Sequence, residues 1–149
     1  MALYFVDTSA LVKLYVRERG TDPMLAIAAP ASGNQLTILS LAQVELRSAI
    51  RRRERAGDIA SGTADRILEL FQLHLQSRFT VQPVTHDLLE LAADLVDRRY
   101  LRALDALQLA GCLTLVNSSL QSSPVFVSGD RELLAAAIAE NAAVFDPIS

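Results

Sequence analysis

Short, mostly apolar runs alternate with longer mixed stretches along this 149-residue chain. The short runs are typical of strands covered on both faces, and they are Leu3–Asp7, Leu36–Leu39, Phe79–Val84, Val125–Val127 and Ala143–Phe145. The stretches between them are predicted helices, at about 9–17, 21–29, 41–56, 63–78, 87–100, 101–116 and 131–141. Because strands that alternate with helices favour a mostly parallel sheet, we predict one α/β domain over residues 1–149. Its central sheet has four to five strands and is flanked by helices.

Polar residues and glycines mark the ends of these predicted helices. Ser9, Ser40 and Thr85 stand where a side-chain oxygen caps the first turn of a helix. Gly57 is typical of the residue that follows the last turn. The polar segment 117–124, NSSLQSSP, is a predicted loop.

Aspartates close two of the predicted strands. Asp7 ends the first strand, and Asp130 ends VFVSGD just before a helix. In open parallel sheets, ligands bind beyond the carboxyl ends of the strands, where the strand order reverses. Asp7 and Asp130 are therefore candidates for one functional site.

Glu45 falls on the apolar side of its predicted helix. On a projection of about 100° per residue, small and apolar side chains surround Glu45 and polar ones lie opposite. The surrounding residues are Leu41, Ala42, Ser48 and Ala49, and the opposite ones are Gln43, Arg47 and Glu54. Arg52 shares the face of Glu45. The pattern indicates an inward carboxylate with space for a ligand beside it.

Asp105 lies in a predicted helix that is apolar nearly all round. Leu101, Leu109 and Cys112 share its face, and Arg102 flanks it. A helix of this kind is usually buried, so we expect Asp105 to be buried with it.

Each of the four acids has a local alternative role. Asp7 and Asp130 can cap the helices that follow them, whereas Glu45 and Asp105 can pair with Arg52 and Arg102 on their own helices. Taken together, the four carboxylates favour a shared metal site, because a divalent cation offsets the repulsion between like charges. Oxygen ligands without paired histidines or several cysteines indicate Mg²⁺ or Mn²⁺ rather than zinc.

The charge and composition indicate which partners and which cellular compartment to expect. The net charge is −3, so no field over the whole molecule attracts nucleic acid. Arginines cluster in RRRER (51–55) and DRRYLR (97–102), as local RNA-binding patches or as solvated helix faces. A single cysteine excludes an internal disulfide. With no visible secretory signal and no apolar run long enough to span a bilayer, the sequence predicts a cytoplasmic protein.

The remaining candidate residues favour packing roles. The chain has no GxGxxG, GxxxxGK[ST], HExxH or GxSxG motif. We expect His74 and His86 to pack or to cap helices, and Cys112 to lie in the core.

Four segments resemble the acidic motifs of PIN-domain ribonucleases in order and placement. They are VDTSALVKLY, VELRSAI, LDALQLA and FVSGDRELL. The length and spacing are most similar to the VapC-type toxins of bacterial toxin–antitoxin pairs. The resemblance covers the whole chain and implies a single PIN-like fold.

The resemblance also implies an activity, metal-dependent endonucleolytic cleavage of RNA. One or two Mg²⁺ or Mn²⁺ ions would activate the attacking water. The family acids that bind the metal are matched by Asp7, Glu45, Asp105 and Asp130. The hydroxyl positions that support these acids or the metal shell are matched by Ser9 and Ser128.

The toxin resemblance implies partners as well. They are an RNA substrate, a small antitoxin that binds tightly, and a second copy of the chain in a homodimer, with no membrane. From charge alone, Lys13 or Arg102 at the rim of the site is a candidate for contact with RNA phosphates.

Three other functions are open at this point. The same catalytic fold can serve RNA processing without a toxin role. The acids can instead be structural, in a module that acts only by binding a partner. A receiver-like phosphoacceptor domain fits least, because receivers usually carry a late lysine and the only lysine here is Lys13.

Overall fold

Five parallel strands form the centre of the computed structural model, which describes residues 2–118 and 123–149. They are β1 (Leu3–Val6), β2 (Gln35–Leu39), β3 (Phe79–Gln82), β4 (Val125–Val127) and β5 (Ala143–Phe145). The order in the sheet is β3-β2-β1-β4-β5, and every pairing is parallel. The predicted α/β class and parallel sheet are therefore confirmed, with five strands.

Helices cover both faces of this sheet. Within the described residues they are α1 (Thr8–Val12), α2 (Thr21–Ala28), α3 (Ala42–Arg55), α4 (Ser61–Ser77), α5 (His86–Arg99), α6 (Ala103–Ser118) and α7 (Arg131–Ala139). A single 3₁₀ turn, Pro30–Ser32, precedes β2. None of the described helices combines the length and the apolar character needed to cross a lipid bilayer.

The predicted caps of α1 and α3 are wrong. Asp7, not Ser9, caps α1, because its carboxylate accepts a hydrogen bond from the backbone N–H of Ala10 at 2.9 Å. Ser40 does not cap α3. The residue at the N-cap position of α3 is Leu41, and its backbone dihedral angles are already helical. The first turn of α3 therefore has no side-chain cap.

Other predicted boundaries agree better with the structure. Thr85 caps α5 by accepting a hydrogen bond from the N–H of Leu88 at 3.2 Å. Gly57 follows the end of α3 with a left-handed φ of 83°. The predicted loop 117–124 starts too early, because α6 continues to Ser118, and residues 119–122 lie outside the described part of the chain.

The sheet separates two apolar cores, because successive strand residues point to opposite faces. Phe5 packs with α5, α6 and α7, whereas Val6 packs with α1 to α4. Gly111 allows α6 to lie directly on the sheet, since a Cβ there would be 2.7 Å from the ring of Phe5. Cys112 is fully buried in the same core, as expected.

The strand order reverses beside β1, which has β2 on one side and β4 on the other. A crevice beyond the carboxyl ends of two such strands is the usual ligand position in a parallel sheet. Asp7 directly follows β1, and Asp130 lies three residues after β4. The topology therefore brings the two strand-end aspartates to the same edge of the sheet.

Candidate functional site

All four predicted acids lie at helix N-termini, and we call Asp7, Glu45, Asp105 and Asp130 the acidic site. Asp7 and Asp130 are the N-caps of α1 and α7, and Glu45 and Asp105 lie in the first turns of α3 and α6. The amino end of a helix carries partial positive charge that stabilises a nearby carboxylate. The fold therefore offsets part of the repulsion among these side chains.

Asp7 is buried and accepts three hydrogen bonds. Its Oδ1 accepts from the Ser9 hydroxyl at 2.7 Å and from the N–H of Ala10, and its Oδ2 accepts from the Ser128 hydroxyl at 2.6 Å. Burial outweighs these bonds and, with a contribution from the charge of Asp105, raises the pKa of Asp7 to about 6. The fold therefore opposes the ionised form of Asp7.

Ser9 and Ser128 connect Asp7 to the loop that carries Asp130. The Ser128 hydroxyl accepts a hydrogen bond from the N–H of Asp130 at 3.0 Å, and the Ser9 hydroxyl accepts one from the N–H of Gly129 at 3.0 Å. Both predicted supporting hydroxyls thus lie between the end of β1 and the start of α7.

Glu45 is half-buried and held by neutral donors. Its Oε1 accepts from the Thr8 hydroxyl at 2.9 Å and from the Gln108 side-chain amide at 2.8 Å. The same amide nitrogen donates to Thr8 at 3.1 Å. Gln108 is 3% exposed, and its carbonyl oxygen is buried without a hydrogen-bond partner among the described residues. These contacts hold one oxygen of Glu45 in place.

Thr8 and Gln108 were not among the candidates from sequence. A signal for Gln108 was present, since it interrupts an otherwise apolar helix one turn after Asp105. Thr8 gave no such signal, because a polar residue at a helix start is ordinary.

Asp105 is half-buried, which corrects the expectation that it is buried. The reason is that α6 begins at Ala103, so that Asp105 lies in the first turn and not further inside the helix. It makes no hydrogen bond or ion pair with the described residues. Burial and the charges of Asp130 and Glu45 raise its pKa, against an opposing effect of Arg102. The four acids therefore share one electrostatic environment centred on Asp105.

Asp130 carries out the capping role that was its local alternative. Its Oδ1 accepts from the N–H groups of Glu132 and Leu133 at 3.0 and 3.3 Å. Its Oδ2 makes no hydrogen bond with the described residues. One oxygen thus anchors the side chain, and the other is available to a ligand.

The donor set of the acidic site fits a hard divalent cation. Carboxylate oxygens are what Mg²⁺ and Mn²⁺ prefer. Burial is the main cause of the raised pKa values of Asp7 and Asp105, and neighbouring carboxylates contribute to both, so a cation would favour their ionised forms. Across the described residues, however, no three Asp, Glu, His or Cys side chains stand close enough to enclose an ion. Because Mg²⁺ is usually held by only one or two carboxylates together with waters, the donor set is still compatible with this ion.

A groove of about 460 Å³ opens beside Glu45, between the start of α3 and the start of α6. Val44 and Leu104 contribute apolar walls, and Ser48 and Arg52 contribute polar groups. Arg52 forms no ion pair with Glu45, so that local alternative is wrong.

The basic candidates divide between buried and exposed positions. Lys13 is not at the rim as predicted, because its side chain is only 8% exposed and its ammonium pairs with Glu18 at 3.1 Å. Arg102 is exposed, and its contact with RNA stays a prediction. Among the clustered arginines, the structure gives ion pairs to Arg51, Arg53, Arg98 and Arg99.

The two histidines contact residues outside the acidic site. The His74 ring nitrogen Nδ1 and the Tyr15 hydroxyl are 2.7 Å apart in a cluster of aromatic side chains. His86 is the exposed first residue of α5 and lies 3.0 Å from a carboxylate oxygen of Glu90.

A family model described as the PIN domain matches residues 4–139 of the chain. None of the curated proteins is significantly similar to the chain in sequence.

Solved structures share the fold over nearly the whole chain. PAE2754 from Pyrobaculum aerophilum is 26% identical, with a TM-score of 0.64, covering 96% of this chain and 89% of its own. VapBC2 from Rickettsia felis, bound to a DNA fragment from its promoter, is 14% identical, with a TM-score of 0.64 and coverage of 97% and 98%. VapBC-1 from nontypeable Haemophilus influenzae is 14% identical, with a TM-score of 0.62 and coverage of 99% of each chain. At 14% identity, these two likenesses show the fold.

Proposed function

Because this chain belongs to the PIN-domain family, we propose that it is a metal-dependent endoribonuclease and the toxin of a type II toxin–antitoxin pair. The observation that carries the nuclease proposal is the electrostatic state of Asp105. Its carboxylate makes no ion pair with a described residue, and burial together with the charges of Asp130 and Glu45 raises its pKa against an opposing effect of Arg102. A divalent cation bound there would offset the negative charge of these carboxylates.

In the proposed site, Asp7, Glu45, Asp105 and Asp130 hold Mg²⁺ or Mn²⁺. When bound, the metal lowers the pKa of a water molecule and stabilises charge on the scissile phosphate. Ser9 and Ser128 fix the orientation of the Asp7 carboxylate through hydrogen bonds to both of its oxygens. Because these hydrogen bonds already orient the carboxylate, it needs to move less when the ion binds.

Thr8 and Gln108 act in the same way on Glu45. Because both donate to Oε1, the second oxygen of Glu45 is left for the ion or for a bound water. In this proposal no protein side chain attacks phosphorus, so substitution of the acids removes metal binding and chemistry together.

The toxin role is supported by the likeness to the two VapBC structures. On this proposal the chain binds RNA as substrate and a cognate antitoxin as inhibitor, forms a homodimer, acts in the cytoplasm and uses residues 1–149 as one nuclease domain. A PIN nuclease of RNA processing is the runner-up. Growth arrest on expression, relieved by co-expression of a neighbouring small gene, separates the toxin from it.

The substitution Asp7→Asn tests the nuclease proposal. We expect the variant to cleave cellular RNA in Mn²⁺ more than about a hundredfold more slowly than wild type, since loss of a ligand costs at least as much as loss of a supporting residue. Mapping of new 5′ ends after incubation with total RNA measures cleavage, and circular dichroism verifies folding.

The matched control is Asp97→Asn, an exposed aspartate on α5, and it should cleave like wild type. A folded Asp7→Asn protein with wild-type cleavage refutes the assignment. A folded wild-type protein that leaves RNA intact in Mn²⁺ favours the module that only binds a partner.

A further inference from the structure

A small pocket of about 250 Å³ adjoins the acidic site, and we call it the Lys13–Arg53 pocket. It is lined by Ser9, Lys13, Glu18, Arg53, Gly129 and Asp130, together with apolar side chains. Asp130 lines the pocket and is also one of the four acids, and Ser9, which lines the pocket as well, donates a hydrogen bond to Asp7. A ligand in the pocket would therefore lie directly beside the acidic site.

Lys13 lines this pocket with a nearly buried ammonium group. Gly20 and Gly129 flank its side chain, and a Cβ on them would lie 3.0 Å from Cδ and 3.3 Å from Cε of Lys13, respectively. Among the described residues the ammonium has one acceptor, Oε1 of Glu18 at 3.1 Å. Because an ammonium has three N–H donors, two of them are left for a ligand.

Glu18 is shared between two cations. Its Oε1 accepts from Lys13, and its Oε2 accepts from the guanidinium of Arg53 at 2.6 Å. Burial acts to raise the pKa of Glu18, but the hydrogen bonds from Arg53 and Lys13 outweigh it and hold this pKa below its usual value. One carboxylate against two cations leaves one positive charge without a counterion in the cluster.

The carboxylate of Asp130 offsets this remaining positive charge only in part. Its Oδ1 is bonded to two backbone N–H groups at the start of α7, where the helix end carries partial positive charge. In the proposed function its other oxygen belongs to a metal ion.

These observations fit an oxyanion. A phosphodiester carries one negative charge and oxygen acceptors for both the Lys13 ammonium and the Arg53 guanidinium. Successive phosphates of a strand are joined through a single nucleoside, so a strand cut at the acidic site places its neighbouring phosphate close by. We propose that the Lys13–Arg53 pocket binds the phosphate of RNA next to the scissile one, with Glu18 as a built-in competitor. The inference rests on the proposed function, because it states how that substrate is held.

Because Glu18 is proposed to compete with RNA for the two cations, substitutions of Glu18 and of Arg53 should change the affinity for RNA in opposite directions. Binding of a fluorescein-labelled single-stranded RNA of about twelve nucleotides is measured by anisotropy, in EDTA and at several salt concentrations. Arg53→Gln should bind about fivefold more weakly, and the slope of log affinity against log salt should fall by about 0.7. Glu18→Gln should bind severalfold more tightly, since it releases both cations from their internal acceptor.

The matched control is Arg47→Gln, an exposed arginine on the same helix, outside the 51–55 cluster and with no ion pair in the described part of the chain. It should leave affinity and salt dependence unchanged. Lys13→Met keeps the alkyl chain between the two glycines and should weaken binding as Arg53→Gln does. Because Arg53 is one-third exposed, its variant decides the test whether or not Lys13→Met folds.

Two results would overturn the pocket. They are an Arg53→Gln affinity equal to that of Arg47→Gln, and a folded Glu18→Gln protein that binds RNA more weakly than wild type. Mn²⁺-dependent hydrolysis of bis(p-nitrophenyl) phosphate, which has no neighbouring phosphate, separates this failure from failure of the proposed function. If only the pocket is wrong, wild type hydrolyses this ester; if the nuclease proposal is wrong, it does not.

Discussion

Asp105 and Glu140 are both half-buried acids, yet their surroundings act on them in opposite directions. Glu140, which follows α7, accepts hydrogen bonds from Arg98 and Arg99, and these hold its pKa below the usual value although burial opposes them. Asp105 has no such partner, and burial with neighbouring carboxylates raises its pKa. The chain thus pairs an acid with arginines in one region and leaves acids unpaired in the other.

The difference shows what each region contributes. An ion-paired Glu140 stabilises the folded state, whereas unpaired, partly buried carboxylates destabilise it until a cation binds. Perturbed carboxylates that repel one another in a crevice are typical of functional sites. Substitutions of the acids and of their hydrogen-bond donors, measured at different pH values, test this difference between the two regions.

The largest expected effect is on the pH dependence of stability. Burial raises the pKa of Asp7 from 3.8 to about 6, so the folded protein retains a proton that the unfolded chain loses between these values. In EDTA, this group therefore makes the free energy of unfolding fall as pH rises from about 4 to 6.

Asp7→Asn removes this dependence. We expect the unfolding free energy of the variant, relative to wild type, to rise by up to about 3 kcal/mol between about pH 4 and pH 7. Urea denaturation in EDTA at both pH values measures it, and a difference that does not vary with pH contradicts the interpretation.

The next effect concerns Gln108, which gives Glu45 a neutral donor in place of a cation. Gln108→Leu should weaken Mn²⁺ binding about tenfold, the cost typical of a lost supporting bond. Stability in EDTA should not fall, because the variant also removes a buried carbonyl oxygen without a partner. Calorimetric titration and thermal unfolding measure the two quantities.

Gln72→Leu, at an exposed position on α4, is the control for Gln108→Leu and should bind Mn²⁺ like wild type. If Gln108→Leu loses affinity only in proportion to a loss of folded protein, Gln108 is a packing residue and not a positioning residue.

The smallest effect is expected at the paired acid. Glu140→Gln should lower stability at neutral pH by about 1 kcal/mol or less, because its arginines are partly exposed and the pairs are screened. Since the pKa of Glu140 is lowered in the fold, this loss should shrink as pH falls through that pKa. Denaturation at two pH values measures it, and any change in Mn²⁺ affinity would break the comparison between the two regions.

Much of the fold could be predicted from local pattern alone. Apolar runs between helical stretches located all five strands, and a parallel sheet brings the residues that follow its strands to one edge. This is why the sequence predicts Asp7 and Asp130 as residues of one site.

The rest depended on where helices begin and end. The first helix stops at Val12, so Lys13 turns inward beneath Gly129 instead of lying on an exposed helix face. The sixth begins at Ala103, which leaves Asp105 half-buried in its first turn.

The contacts of Glu45 were beyond sequence reasoning for a different reason. They join Thr8 of α1, Glu45 of α3 and Gln108 of α6, which are far apart in the chain. Helical periodicity gives the face on which a side chain lies but not the residue it meets on another element.

Thermal unfolding at increasing Mn²⁺ concentration tests most directly whether the four acids form one cation-dependent centre. A ligand at a hundred times its dissociation constant adds about 2.7 kcal/mol to the stability of the folded state. We predict that the melting temperature of wild type rises with Mn²⁺, whereas Asp105→Asn starts higher in EDTA and gains little. A wild-type melting temperature that does not change with Mn²⁺ contradicts the account. An equal rise in wild type and in Asp105→Asn contradicts it as well.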